Sequence, residues 1–161
     1  MRRLTLVFVV LALVTTACYG SDEPPREAGS ALGKGTVLID TPGDSVLMYV
    51  VVAETESQRS TAWRTRTAVP RDEGTVFLFF EARDDVSWLQ NSAIARSVAL
   101  FDSDGEIVRI VDVEACPTGD ADCAPPDPGV EYRGALVVET GELARLGVFE
   151  GDDVEVIPGS E

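Results

Sequence analysis

The stretch Ser97–Val113, SVALFDSDGEIVRIVDV, decides how the rest of the chain is read. Two apolar runs, Ser97–Phe101 and Glu106–Val113, flank Asp102-Ser103-Asp104-Gly105. Asp and Gly suit the tight backbone of a hairpin, and Gly105 can take the positive φ that such turns demand. The spacing therefore predicts an antiparallel pair. Asp102, Asp104 and Glu106 also repeat an every-other-residue acidic pattern that suggests calcium. A full calcium loop is longer and ends in a bidentate Glu. Here the pattern stops between two strands, so the turn is the better reading, and Asp120 and Asp122 are read the same way.

The same grammar extends outward from the hairpin. Towards the C-terminus, Val130–Glu139 is a further strand, Thr140 is placed to cap the short helix GELARL, and Gly147 is placed to end it. DVEVI is the closing strand. Towards the N-terminus, Thr75–Phe80 (TVFLFF) is a strongly apolar strand. Ser45–Ala53 (SVLMYVVVA) is apolar almost throughout, which fits a strand buried on both faces. Thr36–Asp40 (TVLID) alternates briefly. Between Ser45–Ala53 and Thr75–Phe80, Thr55 followed by Gln58 matches a capping box, so a short helix begins there and turns Ala62 and Trp63 inward. With about seven or eight short strands and two short helices, the expected fold is mainly β, a compact antiparallel sandwich or barrel.

The N-terminus reads as an address. Arg2 and Arg3 precede LTLVFVVLALV, Leu4–Val14, an apolar run of eleven residues. A spanning helix needs about 20, so this is the layout of an export signal. Ala17 then Cys18 resembles the end of a bacterial lipoprotein signal, in which Cys18 is lipidated and becomes the new N-terminus. The family's usual Leu three places earlier is Thr15 here. The alternative is ordinary secretory cleavage that leaves Cys18 a free thiol. The following SDEPPREAGSALGKG has almost nothing to bury and reads as a spacer. The expected organisation is a signal over 1–17, a flexible tether over 18–35 and one β-rich domain over 36–161. The expected place is the extracytoplasmic face of a bacterial membrane, held by lipid.

Charge and missing residue types narrow the chemistry. The chain carries 28 acidic and 13 basic residues, a formal charge of −15. Such a surface repels phosphate backbones, so no nucleic-acid partner is expected. There is no histidine, which removes Ser-His-Asp and Cys-His catalysis and the usual zinc sites. No metal or other cofactor is expected. Cys116 and Cys123 lie in the Pro/Gly/Asp stretch EACPTGDADCAPP. In an exported protein an even pair reads as a disulfide. Metal binding by two thiolates and a redox pair, which would sit closer as C-x-x-C, are the weaker alternatives.

The order of these motifs resembles a family, domain of unknown function 192. RSTAWRTRTAVPRDEGTVFLF is similar to its R-x-x-G-L-M-x-R followed by G-M-L-F, with Arg59, Arg66, Gly74 and Phe77 on the fixed positions. WLQNSAIARSVALFDSDGEIV is similar to W-M-K-N-T-x-I-P-L-D-I-x-F-I-D, matching at Trp88, Asn91, Ile94 and Asp102. ALVVETGELARLGVFEGDDV resembles the family's closing segment, and exported relatives carry a cysteine pair before a Tyr, as Cys116, Cys123 and Tyr132 do. The resemblance spans roughly Leu47 to Val156 and implies a compact, jelly-roll-like β domain without implying a reaction. The family's Gly-Leu-Met is Ala62-Trp63-Arg64 here, its Lys is Gln90 and its Pro and Asp are Ala95 and Ser97. If those residues carry the family's activity, this chain has lost it or changed its ligand.

Arg59, Arg66 and Asn91 are polar residues retained at family positions, and Trp88 stands beside Asn91. Arginine offers fixed donors to a carboxylate or phosphate, and an amide beside an indole suits a small polar ligand. These four are the candidate binding residues; no catalytic residue is assigned. Each also has a structural alternative, an arginine locking helix to sheet or a tryptophan filling core. Glu54 with Glu56, and Asp84 with Asp85, could form a carboxylate pair for acid–base work, but nothing in the sequence puts them in a cleft. The expected function is a ligand- or partner-binding module without catalysis. The alternatives are an envelope-acting enzyme using carboxylates, or an accessory subunit of a membrane complex.

Overall fold

A computed structural model describes residues 31–65, 68–90, 92–116 and 127–159. Cys18, the signal and nearly all of the expected tether lie outside them. β1 (Gly33–Asp40) pairs antiparallel with β2 (Ser45–Ala53). α1 (Glu56–Thr65) then crosses to β3 (Glu73–Arg83). β4 (Arg96–Phe101) and β5 (Ile107–Val113) form the hairpin read from the sequence. β6 (Tyr132–Glu139), α2 (Glu142–Leu146) and β7 (Asp153–Pro158) complete the chain. The strands make one seven-stranded sheet in the order β5-β4-β6-β3-β2-β1-β7.

The fold is mainly β, as expected, but not wholly antiparallel: β2 and β3 run parallel. A parallel pair needs a crossover, and α1 supplies it. β1 starts at Gly33, so the last residues assigned to the tether are strand. The sheet curls until its two edges meet. Glu106 bridges Asp153, the Ile107 amide donates to Asp152 O at 2.8 Å, and the Val154 amide donates to Gly105 O at 2.8 Å. Gly105 has φ 96°, and a Cβ there would sit 2.6 Å from Val154 O. The hairpin turn thus needs glycine for its dihedral and again for its contact with β7.

Curling gives the sheet an inner and an outer face with different fates. Ile39, Met48, Val50, Val76, Phe101, Leu136 and Val154 fill the inner face, where Leu143 and Val148 from the α2 region join them. The outer face of β3, β4 and β6 is also covered: Phe77, Phe79, Leu100 and Val137 pack beneath Ala62 of α1 and Leu89 of the 3-10 turn Ser87–Leu89. That is why β4 is buried at every position. β2 was expected to be buried on both faces and is not. Met48, Val50 and Val52 point inward, whereas Leu47 and Tyr49 are exposed, because no helix covers the outer face there.

Local signals behave as their chemistry dictates. The Thr55 and Gln58 side chains and amides bond reciprocally, at 3.2 and 3.0 Å, completing the capping box. Asp102 Oδ1 accepts the amides of Asp104 and Glu106 at 2.9 and 3.1 Å, so this carboxylate is engaged in the turn. Gly147 ends α2 with φ 72°. Thr140 does not cap α2; Gly141 stands at that position with φ 78°, and no side chain bonds the helix start.

Glu142 ties α2 to the start of β3. Its buried carboxylate accepts from Arg145 Nε at 2.8 Å and Nη2 at 2.6 Å, and from the Asp72 amide at 3.2 Å. The Arg145 hydrogen bonds hold its carboxyl below the usual glutamate range, against the opposing effect of burial. A depressed native pKa contributes stability that is complete above the unfolded value, about 4.3, and is lost as pH falls through the native value. Glu142→Gln is therefore expected to lower the urea midpoint at neutral pH, with the gap from wild type closing as the solution is acidified through that range. A gap that stays constant with pH would show that ionisation of Glu142 is not what links α2 to β3.

Candidate functional site

The outer layer leaves a cleft between α1 and the far end of β3. Its volume is about 700 Å³, and Arg59, Trp63, Arg64, Phe79, Arg83 and Trp88 give it its chemical character. Period-2 alternation puts Phe77 and Phe79 on the outer face of β3. A register shift between Leu78 and Arg83 brings Arg83 over the Phe79 ring, and the helix lays Arg59 and Trp63 over them.

Aromatic rings build the floor and one wall. Trp88 lies 4.8 Å from Phe77, 5.6 Å from Phe79 and 5.7 Å from Trp63, centroid to centroid. Trp63 Nε1 donates to Gln90 O at 3.2 Å, and Trp88 Nε1 donates to Tyr132 Oη at 2.7 Å. Tyr132 Oη in turn donates to Asp85 O at 2.5 Å. Burial pushes the Tyr132 phenol above its usual range, which keeps it a donor in this chain of bonds. Both indole N–H groups are thus satisfied inside the protein, and the rings contribute apolar surface to the cleft.

The guanidinium groups supply its polarity. Arg59 Nη1 donates to Glu54 O at 2.5 Å and Leu78 O at 2.8 Å, locking helix to sheet as the structural alternative had it. It nevertheless lines the cleft. Its charge lies 5.0 Å from the Phe79 ring centre, and that of Arg83 lies 5.2 Å from the same centre. Desolvation first, and then the nearby Arg83 charge, lower the Arg59 pKa. Arg83 pairs with Asp85 at 2.7 Å, and Asp85 also accepts from the amide and hydroxyl of Ser87. The Ser87 hydroxyl is the main reason the Asp85 carboxyl titrates low. Behind the wall, buried Arg96 lies 5.0 Å from the Trp63 ring centre.

Of the four candidate binding residues, Arg59 and Trp88 line this one cleft; Arg66 and Asn91 lie outside the described residues. Sequence reasoning missed Arg64, Arg83 and Phe79, and read Trp63 as core. The available signal was the parity of Phe77 and Phe79 on one strand; Arg83 lies beyond the register shift that follows Leu78, where parity no longer tells the face. Of the acids considered for acid–base work, Glu56 reaches the cleft, whereas Asp85 is committed to Arg83 and Ser87. Cys116 is buried, its amide donating to Ser92 O at 2.7 Å; Cys123 lies outside the described residues.

Comparison with known proteins gives the fold a lineage. A candidate transcription regulator from Sinorhizobium meliloti 1021 superposes with a TM-score of 0.67 at 28% identity, over 78% of this chain and 95% of that one. A protein of unknown function from Novosphingobium aromaticivorans DSM 12444 superposes with a TM-score of 0.60 at 22% identity, over 74% and 83%, and bears on the fold alone. No curated protein matches. The family DUF192, described as an uncharacterised ACR, matches residues 37–156, from β1 to β7 and across the whole cleft. The chain belongs to the domain of unknown function 192 family.

Proposed function

We propose that this chain is a lipid-anchored extracytoplasmic module that binds a small ligand or a partner in the cleft beside α1 and performs no chemistry there. Cleavage after Ala17 leaves Cys18 to carry the lipid, and a disulfide between Cys116 and Cys123 staples the segment before β6. Acyl burial would anchor the chain at about 0.8 kcal/mol per CH₂.

The observation that carries the reading is the convergence of Arg59 and Arg83 with Trp63 and Trp88, from α1, β3 and the 3-10 turn, on one cleft. Its size is that of small-molecule sites, and its make-up, apolar walls with a few polar groups, is theirs too. Carboxylate catalysis has less support. The described lining holds one acid, Glu56, and an acid–base mechanism needs a second group across the substrate. The description of the Sinorhizobium meliloti protein does not carry over as DNA binding, since a formal charge of −15 opposes a phosphate backbone.

The test is the intact mass of the protein drawn gently from its native membrane. The expected species begins at Cys18, carries lipid, is lighter by the two hydrogens that one disulfide removes and holds additional bound mass, which Arg59→Ala loses while still folding. A chain without lipid overturns the anchor. A folded Arg59→Ala protein that holds the same bound mass as wild type overturns the site.

A further inference from the structure

The cleft's charge is at odds with the rest of the molecule. The chain is formally −15, yet Arg59, Arg64 and Arg83 line one cleft against a single described acid, Glu56. Two of these cations stand over the same Phe79 ring. Arg83 is already paired with Asp85 and Arg64 is open to solvent, so the half-buried Arg59, which no carboxylate pairs among the described residues, is the cation that an anion in the cleft would meet.

The hydrogen bonds leave donors to spare. Arg59 is pinned through Nη1 to two backbone carbonyls, and among the described residues no carboxylate pairs with it. Its Nε and Nη2 donors therefore stay uncommitted on a side chain already fixed in position. Arg83 gives Nη2 to Asp85, while its Nε is buried without an acceptor. Arg64 donates to Ser60 O and is otherwise open to solvent. The indoles, with both N–H groups used inside the protein, present only apolar surface. Beside Glu56, Ser60 and Gln90, the polar groups of the cleft are three cationic donors, and its apolar surface is flat and aromatic. A volume of about 700 Å³ far exceeds a bare inorganic anion.

We infer that the cleft takes a small organic anion, a carboxylate or phosphate carried on a ring, with the oxyanion on the arginines and the ring against Trp63 and Trp88. A guanidinium meets either oxyanion through paired donors, and a flat ring stacks on an indole. This deepens the binding reading above and rests on it.

The chain has only two tryptophans, and both line the cleft, so intrinsic fluorescence reads the site directly. The experiment titrates the mature protein as purified from its membrane, in a neutral detergent, with benzoate, phenyl phosphate, benzamide, inorganic phosphate and benzylamine. The expected result is saturable change with benzoate or phenyl phosphate, at least about tenfold stronger than with benzamide or inorganic phosphate, weakening as salt rises. Benzylamine should leave the signal unchanged. Which of the two ring anions binds more tightly separates a carboxylate ligand from a phosphate ester. Arg59→Met should weaken the better anion at least about tenfold, and Arg64→Met, on an exposed side chain, tests the charge should Arg59→Met not fold. Benzamide binding as tightly as benzoate would overturn the anion and leave the binding cleft standing. No response to any ring compound, from a wild-type protein whose Trp63 and Trp88 remain quenchable by acrylamide, would overturn both.

Discussion

Phe77→Ala is expected to cost about 3–5 kcal/mol of stability, out of the 5–15 typical of a domain. Phe77 is 1% exposed and sits on the outer face of β3, between the sheet and the layer made by α1 and the 3-10 turn. Its ring is 4.8 Å from Trp88 and 6.4 Å from Trp63. Truncation removes the transfer energy of a buried ring, leaves a cavity, and forfeits one edge-on and one tilted ring contact, each worth about 0.5–1.5 kcal/mol. The cavity opens directly beneath the cleft, so Trp88 loses the surface that holds its face in place. Binding should therefore weaken even where the variant remains folded. Urea unfolding followed by tryptophan fluorescence measures the first effect, and a titration with the best ring anion measures the second. Phe77→Leu keeps most of the volume and should cost about 1.5 kcal/mol or less. If Phe77→Ala cost no more than Phe77→Leu, the outer layer would not be a packed second core, and the placement of the cleft would lose its foundation.

How much of this was legible depended on how local the cause was. Thr55 with Gln58, Asp102 with Gly105, and Gly147 each act within four residues, through hydrogen bonds or dihedrals that the side chain itself determines. Their readings hold in the structure. Thr140 failed because Gly141 takes the left-handed conformation at the helix start, and two residue types compatible with that place compete. The β2 run misled for a different reason. A continuous apolar sequence does not say whether a helix covers its second face; Leu47 and Tyr49 are exposed while α1 lies over β3, β4 and β6. The parallel pairing of β2 with β3 was present in the order strand, helix, strand, and it is the one parallel pair in a sheet whose other named strand pairs are antiparallel. The cleft was half legible. Arg59 and Trp88 came from the family resemblance, whereas Arg83 stands more than twenty residues from Arg59 and meets it only because both reach Phe79.

The curl of the sheet, which creates both layers, makes its own prediction at Gly134. On β6 this residue pairs with Leu78 on one side and Phe101 on the other, and the Phe101 ring folds over it. A Cβ at position 134 would stand 2.1 Å from the Cε2 and Cζ atoms of that ring. Two effects oppose each other in Gly134→Ala. Replacing a strand glycine gains about 0.5–1 kcal/mol by reducing the freedom of the unfolded chain. Overpacking a buried ring costs about 1–3 kcal/mol, since Phe101 is 5% exposed and can move only by displacing its neighbours. The second is larger, so Gly134→Ala should destabilise the protein. Phe101→Leu removes the ring atoms that clash, and in that background the same substitution should become neutral or stabilising. The four proteins of the double-mutant cycle, compared by urea midpoint, give a coupling energy that isolates the contact. A Gly134→Ala protein at least as stable as wild type, with Phe101 in place, would mean that the ring swings aside freely. With a free ring, glycine at position 134 would not be what lets the aromatic lie flat on β6, and the tight inner face would need another cause.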